Sequence, residues 1–183
     1  MAAWWLVSWT TYATWLPGDK RGFCTWRKRV YIPPPKRYAK PDEPIYKSTD
    51  HKVLHALAEE ISDEAVYFTP QEMKTALDAI IAEIAQISVV PAIISLGKWH
   101  VHWLCHFGTL KIRSTVGRVK AAATRELNAL GFQGKRPWTK GCNMRSKRTR
   151  RECRNAYKYV RDHREQDCLI YEWPIDPKYL NFD

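Results

Sequence analysis

The five cysteines, Cys24, Cys105, Cys142, Cys153 and Cys168, contain no C-x-x-C pair and are odd in number. Neither a complete disulfide framework nor a zinc ribbon fits that spacing. Long apolar runs are also lacking. The best candidate, near Val89–Leu96, is broken by Pro91 and Ser95 and is too short to span a bilayer. Ahead of the opening Trp4-Trp5-Leu6-Val7 there is no basic segment of the kind a secretory leader carries. There is no internal repeat, and low complexity is confined to Pro33-Pro34-Pro35. These absences together predict a cytoplasmic protein of a reducing compartment, with no membrane partner.

Acidic residues are scarce as well. Nineteen Asp plus Glu stand against thirty Lys plus Arg, a net charge of +11. Residues 1–110 are nearly balanced, with 12 basic and 11 acidic side chains, whereas residues 111–166 carry 17 and four, and residues 167–183 carry one and four. A generally basic, solvated surface would spread the excess evenly. Its confinement to one third of the chain points to a polyanionic partner, most simply a nucleic acid.

What is present suits one core. The length of 183 residues, 45% apolar content and nine tryptophans predict a single domain, 1–183, with an irregular insertion at about 23–69. Trp4–Tyr12 reads as a first strand stopped by Pro17-Gly18. The proline-rich stretch after it lacks periodicity, apart from a short helix expected at His51–Glu60. From Pro70 a helix is expected, capped by Thr69 with Glu72 three residues on, and with Met73, Leu77, Ile80, Ile81 and Ile84 on one face. Val89–Leu96 and Trp99–Phe107 read as two strands joined at Gly97-Lys98. A second helix should run from Ile112 to Leu130, with Val116, Val119, Ala123 and Leu127 on its apolar side and Lys111, Arg113, Arg118, Lys120 and Arg125 around the rest. Trp138–Ser146 is expected as a strand and Thr149–Gln166 as a third helix. The order gives an α+β fold, a ferredoxin-like sandwich of antiparallel sheet and helices with one extra C-terminal helix.

Within this frame, His100-Val101-His102 puts two imidazoles on one side of a strand about 6.6 Å apart, where they can share a metal ion. Trp99, Val101, Trp103, Cys105 and Phe107 form the opposite, core-facing row. His106 follows as a structural histidine. In the last helix, Cys153, Ala156, Tyr157 and Val160 form an apolar stripe, while Asn155, Tyr159, Asp162 and His163 form another. Tyr159 and His163 lie one turn apart, so a phenol and a third metal ligand can project together. Two histidines, or a tyrosine beside a histidine, are individually common on surfaces. Jointly they supply what phosphodiester cleavage by a tyrosine needs, namely a divalent cation, an in-line phenol and positive charge to hold the strand. Attack by Tyr159 would give a 5′-phosphotyrosine and release a 3′-hydroxyl.

The His-hydrophobic-His pair followed by a Tyr-x-x-x-ligand helix resembles the single-tyrosine HUH transposases. Thr14-Trp15-Leu16-Pro17-Gly18-Asp19 with Arg21-Gly22 is similar to the N-terminal signature of one branch, the REP-associated tyrosine transposases. The resemblance covers most of the chain outside 23–69. It implies a metal-dependent endonuclease and strand transferase acting on single-stranded DNA near small hairpins, with Mg²⁺ or Mn²⁺, as a monomer or homodimer. His100 and His102 take the place of the metal-binding pair and Tyr159 that of the nucleophile. His163 stands where members often have Gln or Asn, and Lys98-Trp99 replaces the usual step before the first histidine.

Arg145, Lys147, Arg148, Arg150, Arg151 and Arg154 run into the start of the last helix, preceded by Lys135, Arg136 and Lys140. Positive charge at a helix N-terminus opposes the helix dipole, which favours phosphate contact over a structural role. Trp15, Trp26 and Trp138 are candidates for stacking on unpaired bases, against core packing as the commoner fate of a tryptophan. The competing function is a nucleic-acid-binding module that keeps the fold and basic face without cutting. A metal-dependent hydrolase of another substrate is a third. The acidic tail from Asp167, with Trp173-Pro174, is a candidate to fold back over the basic face.

Overall fold

The computed structural model describes residues 4–19, 23–24, 31–32, 48–134 and 136–174. The chain divides into two compact units, one formed by Met1–Tyr12 with Val66–Asp183, the other by Ala13–Ala65. No helix among the described residues is long and apolar enough to cross a membrane.

The larger unit is built on a five-stranded antiparallel sheet. In chain order its elements begin with β1 (Trp4–Thr10). The smaller unit then contributes β2 (Phe23–Cys24), β3 (Tyr31–Ile32) and α1 (Ser48–Glu60). The larger unit resumes with α2 (Pro70–Ile84), β4 (Val90–Leu96), β5 (His100–His106), α3 (Ile112–Ala129), β6 (Asn143–Lys147), α4 (Arg150–Asp162), a 3₁₀ turn at His163–Gln166 and β7 (Leu169–Glu172). The sheet order is β6-β1-β5-β4-β7. This is an α+β arrangement compatible with the expected ferredoxin-like sandwich.

Alternation along the strands sorts the sheet into two faces. On one, Val7, Trp9, Ile94, Leu96, Val101, Trp103 and Cys105 pack against Met73, Leu77 and Ile80 of α2 and Val116, Val119, Ala123 and Leu127 of α3. Thr69 and Glu72 form the expected capping box at the start of α2. Arg118 and Arg125 of α3 pair with Glu83 of α2 at the helix seam. The other face is covered by α4, whose Cys153, Ala156 and Val160 pack on Trp4, Ile93 and Leu104.

Several boundaries differ from those expected, most of all toward the C-terminal end. The strand foreseen at Trp138–Ser146 starts only at Asn143; Gly141 adopts φ +81° just before it, and Trp138 touches the sheet through an isolated bridge to Thr11. The last helix, expected over Thr149–Gln166, has Thr149 as its cap, tightens into a 3₁₀ turn at His163 and stops at Asp167, in the left-handed region at φ 58°. The first residues of the acidic tail form β7, an edge strand on Ile93–Leu96 of β4. Residues 175–183 lie outside the described residues. Pro91, which interrupts the apolar run, sits at a register shift between β4 and β5, where a missing N–H is tolerated.

In the smaller unit β2 and β3 pair antiparallel. Gly18, in the Thr14–Asp19 signature, adopts φ +85°, and a Cβ there would meet His51 O at 2.4 Å and His55 N at 2.6 Å. Only glycine allows this turn to lie so close to the α1 backbone. The region expected as an irregular insertion therefore holds a helix and a short strand pair. Arg21, Gly22, Trp26, Lys135 and the Pro33–Pro35 run lie outside the described residues.

Candidate metal centre and nucleophile

The site begins with β5. Because Val101, Trp103 and Cys105 take the core face at 0% exposure, His100 and His102 must take the other. In the β1 register they stand opposite Thr10 and Ser8. On the β4 side, Ser95 lies directly opposite His102. His100 is buried and His102 half-buried. Trp99, expected in the core row, instead lies beside His100, with ring centroids 4.3 Å apart.

The covering element is α4. Its start is stabilised by a second capping box, in which Thr149 Oγ1 accepts from Glu152 N and the Glu152 carboxylate accepts from the backbone N–H groups of Arg148 at 2.8 Å and Thr149 at 3.1 Å. Those two donors hold the Glu152 carboxyl below the usual carboxylate range. The box places one negative charge at an end otherwise crowded with arginine, so the dipole penalty is partly relieved. Burial of Cys153, Ala156 and Val160 then fixes the roll of the helix. Tyr157 leans outward from that stripe and donates its hydroxyl to Glu172 of β7 at 2.5 Å. Burial, then Glu172, pushes its phenol up to about 12, which suits a permanent donor.

Tyr159 faces the histidines. Its Oη is 3.5 Å from His102 Nε2, the long end of hydrogen-bond range. Its ring lies 5.1 Å from that of His102 and 4.6 Å from that of His163. The residue remains 48% exposed, so its side chain is partly open to solvent. Burial raises its phenol above the ordinary value, opposed by the charge of Arg145. It is therefore protonated at neutral pH.

His163 closes the cluster. The Tyr159 carbonyl can only accept, so His163 Nδ1 donates to it, at 2.7 Å. In the neutral ring this leaves Nε2 with the lone pair. One ligand nitrogen each from His100, His102 and His163 lie within 4.8 Å of one another. Burial first, then the neighbouring His100 and His163, then Arg145, bring His102 down to about 3. At physiological pH its imidazole is neutral and able to coordinate. These three residues fit a divalent metal ion, and they are the only such group of ligating side chains among the described residues.

All four residues singled out in the sequence, His100, His102, Tyr159 and His163, thus come together within one chain. The basic candidates lie on the elements that lead into α4, with Arg145 and Lys147 on β6, Arg148 before the cap, and Arg150, Arg151 and Arg154 on the first turns of α4; Arg145 is the one whose charge acts on Tyr159 and His102. All are exposed except Lys147, which is half-buried. Trp138 does not belong to this surface. It is 7% exposed and packs edge-on against Trp9 and Phe68, so base stacking is excluded for it in this fold. Lys120 is also removed from the surface, since its ammonium is buried at 9% exposure and donates to the carbonyls of Thr139 and Gly141. Sequence reasoning missed Cys168, whose Sγ lies 3.9 Å from His100 Nε2, and the serines flanking His102, because both depend on pairings that spacing does not reveal.

No family model, curated protein or solved structure matches the chain.

Proposed function

We propose that the protein is a metal-dependent single-stranded DNA endonuclease and strand transferase of the single-tyrosine HUH type, acting at hairpin-associated sites through a 5′-phosphotyrosine. One observation carries this reading: the hydroxyl of the partly exposed Tyr159 stands 3.5 Å from a nitrogen of a three-histidine cluster. A structural tyrosine would be tied down as Tyr157 is. His100, His102 and His163 would hold the ion, which when bound polarises the scissile phosphate and offsets its charge. Three imidazoles suit a transition-metal ion better than Mg²⁺, so Mn²⁺ is the favoured cofactor of the two.

The chain's own part is positioning and proton control. α4 holds Tyr159 by burying the neighbouring Val160 and Ala156. As Oη bonds to phosphorus the phenol proton leaves, the bond from phosphorus to the 3′ oxygen breaks, and that oxygen takes up a proton to depart as a hydroxyl. Attack of a second 3′-hydroxyl on the phosphotyrosine reverses the exchange, so strands are rejoined without a nucleotide cofactor. Arg145 stands on β6 with its charge acting on both Tyr159 and His102, which favours the phenolate side of the transfer and attracts the phosphate. The exposed arginines from Arg148 to Arg154 would track the strand toward it.

Incubation with hairpin-bearing single-stranded DNA and Mn²⁺ should give a covalent, protease-sensitive adduct that is absent in Tyr159→Phe and retained in Tyr157→Phe. An adduct persisting in Tyr159→Phe would overturn the assignment. His100→Ala should abolish cleavage and leave salt-dependent DNA binding nearly intact; a wild-type protein that binds the DNA but never cleaves it would favour the non-cutting binding module.

A further inference from the structure

On the site face, the buried Ser95 hydroxyl and His102 Nδ1 have no hydrogen-bond partner among the described residues. Ser95 is 0% exposed. Both residues occupy directly opposed positions of the β4/β5 pair. Opposed residues of an antiparallel pair point to the same face, with Cβ atoms about 5 Å apart. That spacing lets a change of serine rotamer bring the hydroxyl to the ring. The flanking pairs confirm the direction, since Ile93 and Leu104, two residues along, share the α4-side core, while Ile94 and Trp103, one residue along, share the other.

We infer that Ser95 is a positioning residue for the metal centre, its hydroxyl accepting a hydrogen bond from His102 Nδ1–H. The inference rests on the metal-centre reading above. Oη of Tyr159 approaches His102 at Nε2, which makes Nε2 the nitrogen on the open side of the site and Nδ1 the one turned into the sheet. An imidazole that coordinates through Nε2 must carry its proton on Nδ1, and a buried N–H needs an acceptor. His163 already has its acceptor, the Tyr159 carbonyl. For His102 the opposed Ser95 hydroxyl fills that role, fixing the tautomer and the ring orientation. A buried serine in the middle of an otherwise apolar Ile93-Ile94-Ser95-Leu96 run is thereby accounted for. Loss of such an outer partner weakens metal binding by about 10–100-fold.

The test compares wild type with Ser95→Ala and Ser95→Thr. Calorimetric titration with Mn²⁺ should show affinity reduced by about 10–100-fold in Ser95→Ala and largely restored in Ser95→Thr, with the metal-free Ser95→Ala protein still melting as a cooperatively folded protein. In metal-free protein, long-range ¹H–¹⁵N spectra of the His102 ring should report the Nδ1–H form in wild type and a mixture of tautomers in Ser95→Ala. An unchanged tautomer together with Mn²⁺ affinity within twofold of wild type would overturn the role of Ser95. If wild type binds no Mn²⁺ the metal-centre reading fails, and the tautomer comparison then decides the Ser95 contact by itself.

Discussion

The two faces of β5 have opposite fates although they alternate residue by residue. At Val101, Trp103 and Cys105 the strand meets two helices and its side chains are fully buried. At His100 and His102 it meets a single 13-residue helix, and that face is itself divided. One end, at Trp4, Ile93 and Leu104, is apolar and holds α4. The other end carries Ser8, Ser95 and the histidines beneath Tyr159 and His163. An apolar face needs only volume complementarity. A reactive face needs lone pairs near the sheet, and these destabilise unless each has a partner. Splitting the face lets adjacent residues of one helix do different jobs, with Val160 anchoring and Tyr159 reaching the site.

That division can be broken experimentally. Trp103→Ala should cost about 3–5 kcal/mol, enough to unfold most of the population in a urea titration at modest denaturant. His102→Ala should cost much less, about 1 kcal/mol, since it removes only a half-buried ring and the hydrogen bond proposed to Ser95, while abolishing Mn²⁺ binding. Equal destabilisation by both would mean the histidine end is core by another name. Between these extremes, Val160→Ala should cost about 2 kcal/mol by deleting two buried methyl groups, and should weaken Mn²⁺ binding several-fold because the same helix carries His163. A stability loss with unchanged metal affinity would show that the anchor and the site are uncoupled.

A smaller effect separates the exposed arginines from the sheet. Arg148→Ala should weaken single-stranded DNA binding and lower the slope of log affinity against log salt by about 0.7, the value for one phosphate contact on a single strand. Fluorescence anisotropy at several salt concentrations measures it. An unchanged slope would remove Arg148 from the proposed DNA path.

Much of this was legible in the residues. The alternation of His100-Val101-His102-Trp103 fixes which side chains face together, and Thr69-Glu72 and the 3.6 period fix α2, because these signals act over one turn or one pleat. The Tyr159/His163 pair needed only helical geometry. The features that escaped depend on partners distant in sequence. β7 is four residues long and exists because β4 offers it an edge. Ser95 means little until the register places it across from His102. Trp138 looks like a free aromatic until Thr11, Phe68 and Trp9 are found around it. Lys120 is the instructive case: it lies one turn from Val116 and so falls near the apolar stripe, yet its charge argues for solvent.

Lys120 also gives the smallest and sharpest test of where the basic excess acts. It stands over the Trp9 ring at 5.6 Å and donates to two loop carbonyls leading into β6, on the apolar side of the sheet. Burial lowers it from 10.5 to about 8, a little offset by Cys142. Between those two pH values the unfolded chain keeps the proton that the folded chain has released. Stability of the wild type relative to Lys120→Met should therefore rise as pH increases from about 8 to 10.5, by at most about 1.4 kcal/mol per unit, and the difference should be flat below pH 7. Paired thermal melts across that range read the sign directly. DNA affinity of Lys120→Met should stay within twofold of wild type, unlike Arg148→Ala. A loss comparable to that of Arg148→Ala would place the lysine on the binding surface and erase the contrast between the two faces.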